Sequence, residues 1–111
     1  MEKSATYRQL IKETIAANAH QSNREGEIEG VTIFDETSGH YQLVYLGWEN
    51  GLRVYSVLIH VRLHNGKIWI ERDGTAEGIA NTLVEAGVPR EEIVLAFHSP
   101  WKRQFTEFAV A

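Results

Sequence analysis

Val54-Tyr55-Ser56-Val57-Leu58-Ile59-His60-Val61-Arg62-Leu63-His64, then Asn65-Gly66, then Lys67-Ile68-Trp69-Ile70-Glu71-Arg72 has the pattern of a β-hairpin. Two runs rich in β-branched and aromatic residues flank a dipeptide that accepts positive φ at both positions, as a two-residue type I′ hairpin turn demands. Such a turn sets the register. His64 faces Lys67, Leu63 faces Ile68, Arg62 faces Trp69, Val61 faces Ile70 and His60 faces Glu71. Alternation then places Tyr55, Val57, Ile59, Val61 and Leu63 with Ile68 and Ile70 on an apolar face for helices to cover. The opposite face carries Leu58, His60, Arg62 and His64 beside Lys67, Trp69 and Glu71, a basic and aromatic strip.

Working upstream, Asn50-Gly51 is a second turn of the same kind, preceded by the aromatic run His40 to Trp48, the turn-forming Glu36-Thr37-Ser38-Gly39 and the run Val31 to Asp35. Four strands in an antiparallel meander follow. Before them, Tyr7, Leu10, Ile11, Thr14 and Ile15 recur at helical spacing, with Ser4 as the expected N-cap. The polar stretch Asn18 to Gly26 reads as a loop. Downstream, Asp73 to Pro89 reads as a second helix with Ile79, Leu83 and Ala86 on one stripe. Asp73 or Thr75 is its cap, and Gly87 and Pro89 end it. Ile93 to Phe97 is a short strand ending at a Ser99-Pro100 turn, and Phe105 and Phe108 give the tail apolar groups with which to dock. The expected fold is α+β: an N-terminal helix, a four-stranded antiparallel meander, a second helix and a short C-terminal strand.

The chain has 111 residues, about one domain by length, spanning 1–111. It has no cysteine, which removes disulfides, thiol nucleophiles and thiolate metal sites together. The net charge of −4 has the wrong sign for a protein that grips nucleic acid mainly through phosphates. Between Leu52 and Arg72, however, Arg53, Arg62, Lys67 and Arg72 against Glu71 leave a local charge of +3. Glu2, Lys3, Arg8, Lys12 and Glu13 interrupt the N-terminal segment, so it resembles neither a signal peptide nor a membrane span, and a cytoplasmic location is expected.

No catalytic constellation stands out. His60 and His64 lie about 13 Å apart along a strand at roughly 3.3 Å per residue, beyond the reach of one ion. His20, His40 and His98 fall in separate connections. Asp35-Glu36 and Glu91-Glu92 are adjacent carboxylates pointing to opposite sides, beside turns. Asp73-Gly74-Thr75 leads into a helix without a phosphate-loop pattern, and His98-Ser99 lacks a third orienting group. No metal, cofactor or catalytic residue is expected. The candidate site is an interaction surface made by His60, Arg62, His64, Lys67, Trp69, Trp101, Lys102 and Arg103.

Gly66-Lys67-Ile68-Trp69-Ile70-Glu71-Arg72-Asp73-Gly74-Thr75-Ala76-Glu77-Gly78-Ile79-Ala80, then Leu83 to Pro89, then Arg103 to Ala111 resemble the XisI family, the cyanobacterial fdxN element excision controlling factors. The likeness extends back through Val57-Leu58-Ile59-His60, Gly47-Trp48 and Tyr41-Gln42-Leu43 to the N-terminal helix. Trp101-Lys102 stands where an acidic residue or glycine is expected after Pro100, and it sets an aromatic beside two cations. The resemblance implies a non-enzymatic regulatory factor for site-specific excision of a DNA element during heterocyst differentiation. Its implied partners are an XisH-like protein or the site-specific recombinase. An accessory DNA-binding role through the Arg53 to Arg72 hairpin region is the alternative. Self-association as a homodimer or higher homo-oligomer is expected from exposed sheet edges and an aromatic face.

Overall fold

The computed structural model describes residues 3–22 and 27–111, with only the backbone described for residues 20–22. Its elements are α1 (Lys3–Ser22), β1 (Ile28–Asp35), β2 (His40–Glu49), β3 (Leu52–His64), β4 (Lys67–Asp73), α2 (Ile79–Glu85), a 3₁₀ turn (Arg90–Glu92), β5 (Ile93–Leu95) and α3 (Pro100–Arg103). The five strands lie in sequence order in one sheet. The first four form the antiparallel meander, while β5 returns through α2 to pair parallel with β4.

Both Asn-Gly turns form as the sequence predicts. Asn50 and Gly51 have φ of 51° and 78°, and Asn65 and Gly66 have 53° and 75°. From each turn the expected pairs run outward until a bulge intervenes. Asn50-Gly51 sets pairs as far as Val44 with Val57, but the next is Leu43 with Ile59, so Leu58 is the extra residue. Asn65-Gly66 sets pairs as far as Val61 with Ile70, but the next is His60 with Arg72, so Glu71 is the extra residue. A bulge reverses which face later residues occupy.

Two expectations are corrected as a result. His60 does not face Glu71 but Arg72. Tyr55 and Val57 share the outer face with Leu46 and Val44 instead of joining the helix-covered face, and Leu58 packs against the core.

The core lies on one side of the sheet. Tyr7, Ile11 and Ile15 of α1 and Ile79, Ala80 and Leu83 of α2 close over Tyr41, Leu43, Ile59, Val61, Ile68 and Ile70. Full burial of each aliphatic side chain contributes about 1.5–3 kcal/mol, which is what fixes the helices to this face. α1 is longer than expected: Ser4 lies inside it, and Asn18, read as loop, donates its side-chain amide to Thr14 O at 2.9 Å within the helix. The remainder of that expected loop, 23–26, lies outside the described residues. Near its start α1 is tied to the far end of the chain. Tyr7 donates its hydroxyl to Glu92, and Lys3 Nζ sits 2.5 Å from the same carboxylate. Burial first, and then the Glu92 carboxylate, push the Tyr7 hydroxyl up to about 12.

α2 is shorter than the sequence suggests, because 74–78 form a polar connection folded around the Asp73 side chain at the end of β4. Asp73 Oδ1 accepts from Thr75 N at 3.0 Å and Thr75 Oγ1 at 2.6 Å, and Oδ2 accepts from Ile79 N at 2.7 Å. The expected caps therefore act from a distance, Asp73 on the first helical amide and Thr75 Oγ1 on Gly78 N at 3.1 Å. At the other end Val88 N donates to Leu83 O and Gly87 N to Val84 O, both at 3.0 Å, with Gly87 at φ 108°. That pair of bonds is a Schellman motif, and only a residue without Cβ accepts the conformation readily.

β5 stops at Leu95, two residues earlier than read. Ser99-Pro100 is not a simple turn but the start of α3, with Ser99 Oγ accepting from Lys102 N and proline at the first helical position. In the tail Phe108 packs against the core, whereas Phe105, expected to dock, is 70% exposed. Ala109 N donates to Ile93 O at 2.8 Å, which fastens the tail along β5.

Candidate interaction surface

Trp69 is the centre of the outer-face strip at the β4 side. As expected, Arg62 lies across from it, with its guanidinium carbon 5.3 Å from the ring centroid. Sequence reasoning did not foresee that Arg103 reaches the same ring from α3, at 5.6 Å. Each cation over an indole contributes about 0.5–1 kcal/mol where water has access. The indole N–H donates to His64 O at 3.1 Å, and the His64 ring meets Trp69 edge-on at 5.8 Å. Arg62 Nε is also 3.3 Å from Glu71 Oε2, an ion pair without hydrogen-bond geometry that offsets part of the local positive charge.

Arg103 is a clamp. Its Nε donates to His98 O at 3.0 Å, and its two terminal nitrogens donate to Val110 O and Ala96 O, each at 3.3 Å. One guanidinium thus joins the end of β5, the α3 entry and the tail, a geometry that suits the planar fork of arginine. Lys67 makes a further link, with Nζ donating to Ala111 O at 2.8 Å. These cations of the expected site are engaged with the chain itself.

Trp101 and Lys102 point outward on α3. Trp101 is 67% exposed and stacks edge-on with Phe105 at 5.0 Å, and Phe97 lies nearby in sequence against His98 at 4.6 Å. Phe97, Trp101 and Phe105 are all exposed large apolar side chains. An exposed aromatic cluster beside cations is the composition that protein interfaces favour.

His60 sits away from this cluster, with its Nε2 2.9 Å from Nδ1 of His40. Burial, then the neighbouring His40, holds the His60 imidazole below its ordinary pKa. The pairing was missed because the Asn50-Gly51 turn alone places His60 on the face of Tyr41. Only the extra residue at Leu58 brings it beside His40. Among the described residues, no three His, Asp or Glu side chains gather where a metal ion could sit. No helix of the described residues is long and apolar enough to cross a membrane.

A five-stranded mixed sheet with α1 and α2 over one face defines the chain as an α+β protein. The chain belongs to the XisI family: the family model described as XisI protein matches residues 1–110. A crystallised XisI-like protein from Anabaena variabilis ATCC 29413 is 36% identical with a TM-score of 0.92, over 96% of this chain and 98% of that one. The fdxN element excision controlling factor XisI from the same organism is 37% identical with a TM-score of 0.88, over 99% of this chain and 100% of that one. A comparison with curated proteins finds no match.

Proposed function

We propose that this chain is a non-enzymatic controlling factor for excision of a DNA element of the fdxN kind, acting by contact with an XisH-like protein or the site-specific recombinase. The observation that carries the reading is the end-to-end likeness to a protein described as an fdxN element excision controlling factor. The contact surface is Trp101 with Phe97 and Phe105, buttressed by Trp69, Arg62 and Arg103. In support, Trp101 and Phe105 are exposed while Arg103 fixes the backbone beneath them, so little order has to be gained on binding. Direct DNA binding through the hairpin region is the weaker reading. Arg62 is paired with Glu71, Arg53 lies 5.5 Å over the Trp48 ring, and Arg72 Nε donates to Val57 O at 2.7 Å.

Purified chain is presented with an XisH-like protein and, separately, with the recombinase, with and without nuclease. Nuclease-resistant binding that Trp101→Ala weakens by about tenfold or more is expected. Binding lost on nuclease treatment, or falling by orders of magnitude between about 50 and 200 mM salt, refutes it in favour of the DNA reading.

A further inference from the structure

The bulge at Leu58 gives the outer face of the sheet a composition that unbroken alternation would not. Glu29, Leu46 and Tyr55 form one row across β1, β2 and β3. Val31, Val44 and Val57 form the next, Ile33, Gln42 and His60 the third, and Asp35, His40 and Arg62 the fourth. Side chains directly opposite in an antiparallel pair share a face. The core closed by α1 and α2 is on the other side. Ile33 is 46% and Tyr55 68% exposed, and between them Val31 and Val57 are half-buried while Val44, at the centre, is 3% exposed, so the apolar area this face offers lies on the two sides of β2.

The geometry points to a second copy of this chain as the occupant, packed face to face about a two-fold axis running along β2. Such an axis keeps strand directions aligned, as two packed twisted sheets prefer. It sets the half-buried Leu46 against its own counterpart and lays β1 of one copy over β3 of the other, so that Ile33 and Tyr55 supply the exposed area to be covered. The charges then match. Asp35 of β1 and Arg62 of β3 share the row of His40, and Glu29 of β1 is one same-face position from Arg53 of β3. Acid meets base at both ends of the apolar patch. An axis across the strands would instead lay β1 on β1, acid over acid, which is disfavoured. Arg62 already holds Glu71, and Asp35 spends Oδ1 on the amides of Thr37 and Ser38, so the intermolecular contact extends existing polar networks. This pairing does not depend on the excision reading.

Sedimentation equilibrium of the full chain from about 1 to 200 µM tests it. The expected mass is twice 12.6 kDa. Ile33→Glu and Tyr55→Glu change exposed side chains, so circular dichroism stays native while each raises the dimer dissociation constant by about tenfold or more. Glu29→Arg and Arg53→Glu each weaken association, and the double exchange restores part of it. A chain that stays at 12.6 kDa throughout overturns the proposal. So does a dimer whose dissociation constant is unmoved by Ile33→Glu and Tyr55→Glu, or a charge exchange without recovery.

Discussion

Replacing Arg103 by alanine removes three backbone contacts and one ring contact at once. The 3.0 Å bond to His98 O is the strong one, and those to Val110 O and Ala96 O at 3.3 Å are weaker. A hydrogen bond from a charged donor is worth about 1.5–3 kcal/mol, and the two long ones, in a half-exposed setting, together add about a third of that. With about 0.5–1 kcal/mol from the Trp69 ring, the expected loss is about 3 kcal/mol. At a urea slope of roughly 1–2 kcal/mol per molar, the unfolding midpoint falls by about 2 M. Arg103→Lys keeps the charge but not the fork, so it recovers less than half. In a cycle with Trp69→Ala the two changes couple by about 0.5–1 kcal/mol. Hydrogen exchange localises the effect, with the Ala109 amide, bonded to Ile93 O, losing protection first. A midpoint shift corresponding to less than about 0.5 kcal/mol, or an unchanged Ala109 amide, would refute the clamp.

Asp73→Ala removes the acceptor for Thr75 and for the first amide of α2, and is expected to cost about 2 kcal/mol in urea unfolding, against about 1 for Thr75→Ala. Equal costs would contradict the geometry. At Gly47, φ is 150° and an added Cβ would lie 1.8 Å from Glu27 O, so Gly47→Ala must break the β1–β2 junction at a cost above about 3 kcal/mol; limited proteolysis that leaves β1 protected would disprove it. Folded His60 binds its proton less readily than an unfolded histidine, so below about pH 6.5 the unfolded chain takes up more protons. Stability therefore falls as pH drops through that value and levels off below the folded pKa. His60→Gln should flatten this slope in pH-dependent melts, and parallel curves for the two proteins would place its origin elsewhere.

What the sequence made legible follows from local rules. The Asn-Gly turns need only backbone conformation, and they delivered the meander and the Arg62 to Trp69 contact. The bulges at Leu58 and Glu71 left no such mark, since no residue type demands them, yet they decide which side Tyr55 and His60 occupy. The Asp73 cap was readable because a carboxylate ahead of a helical stripe has one obvious use, although its reach over six residues was not. Arg103 was picked out as an exposed cation beside Trp101, and its inward engagement depends on where α3 and the tail meet β4, which is a tertiary matter.

The knot of Lys3, Tyr7 and Glu92 closes a very long loop, with Tyr7 and Glu92 separated by 85 positions in sequence and Lys3 and Glu92 by 89. Hairpins close over a few residues and gain contacts early, whereas a contact of such separation repays its chain entropy only after the sheet exists. It is therefore a late event in folding. Breaking it with Tyr7→Phe should leave the refolding rate almost unchanged and quicken unfolding, so that this latch governs how long a folded molecule lasts more than how fast it forms.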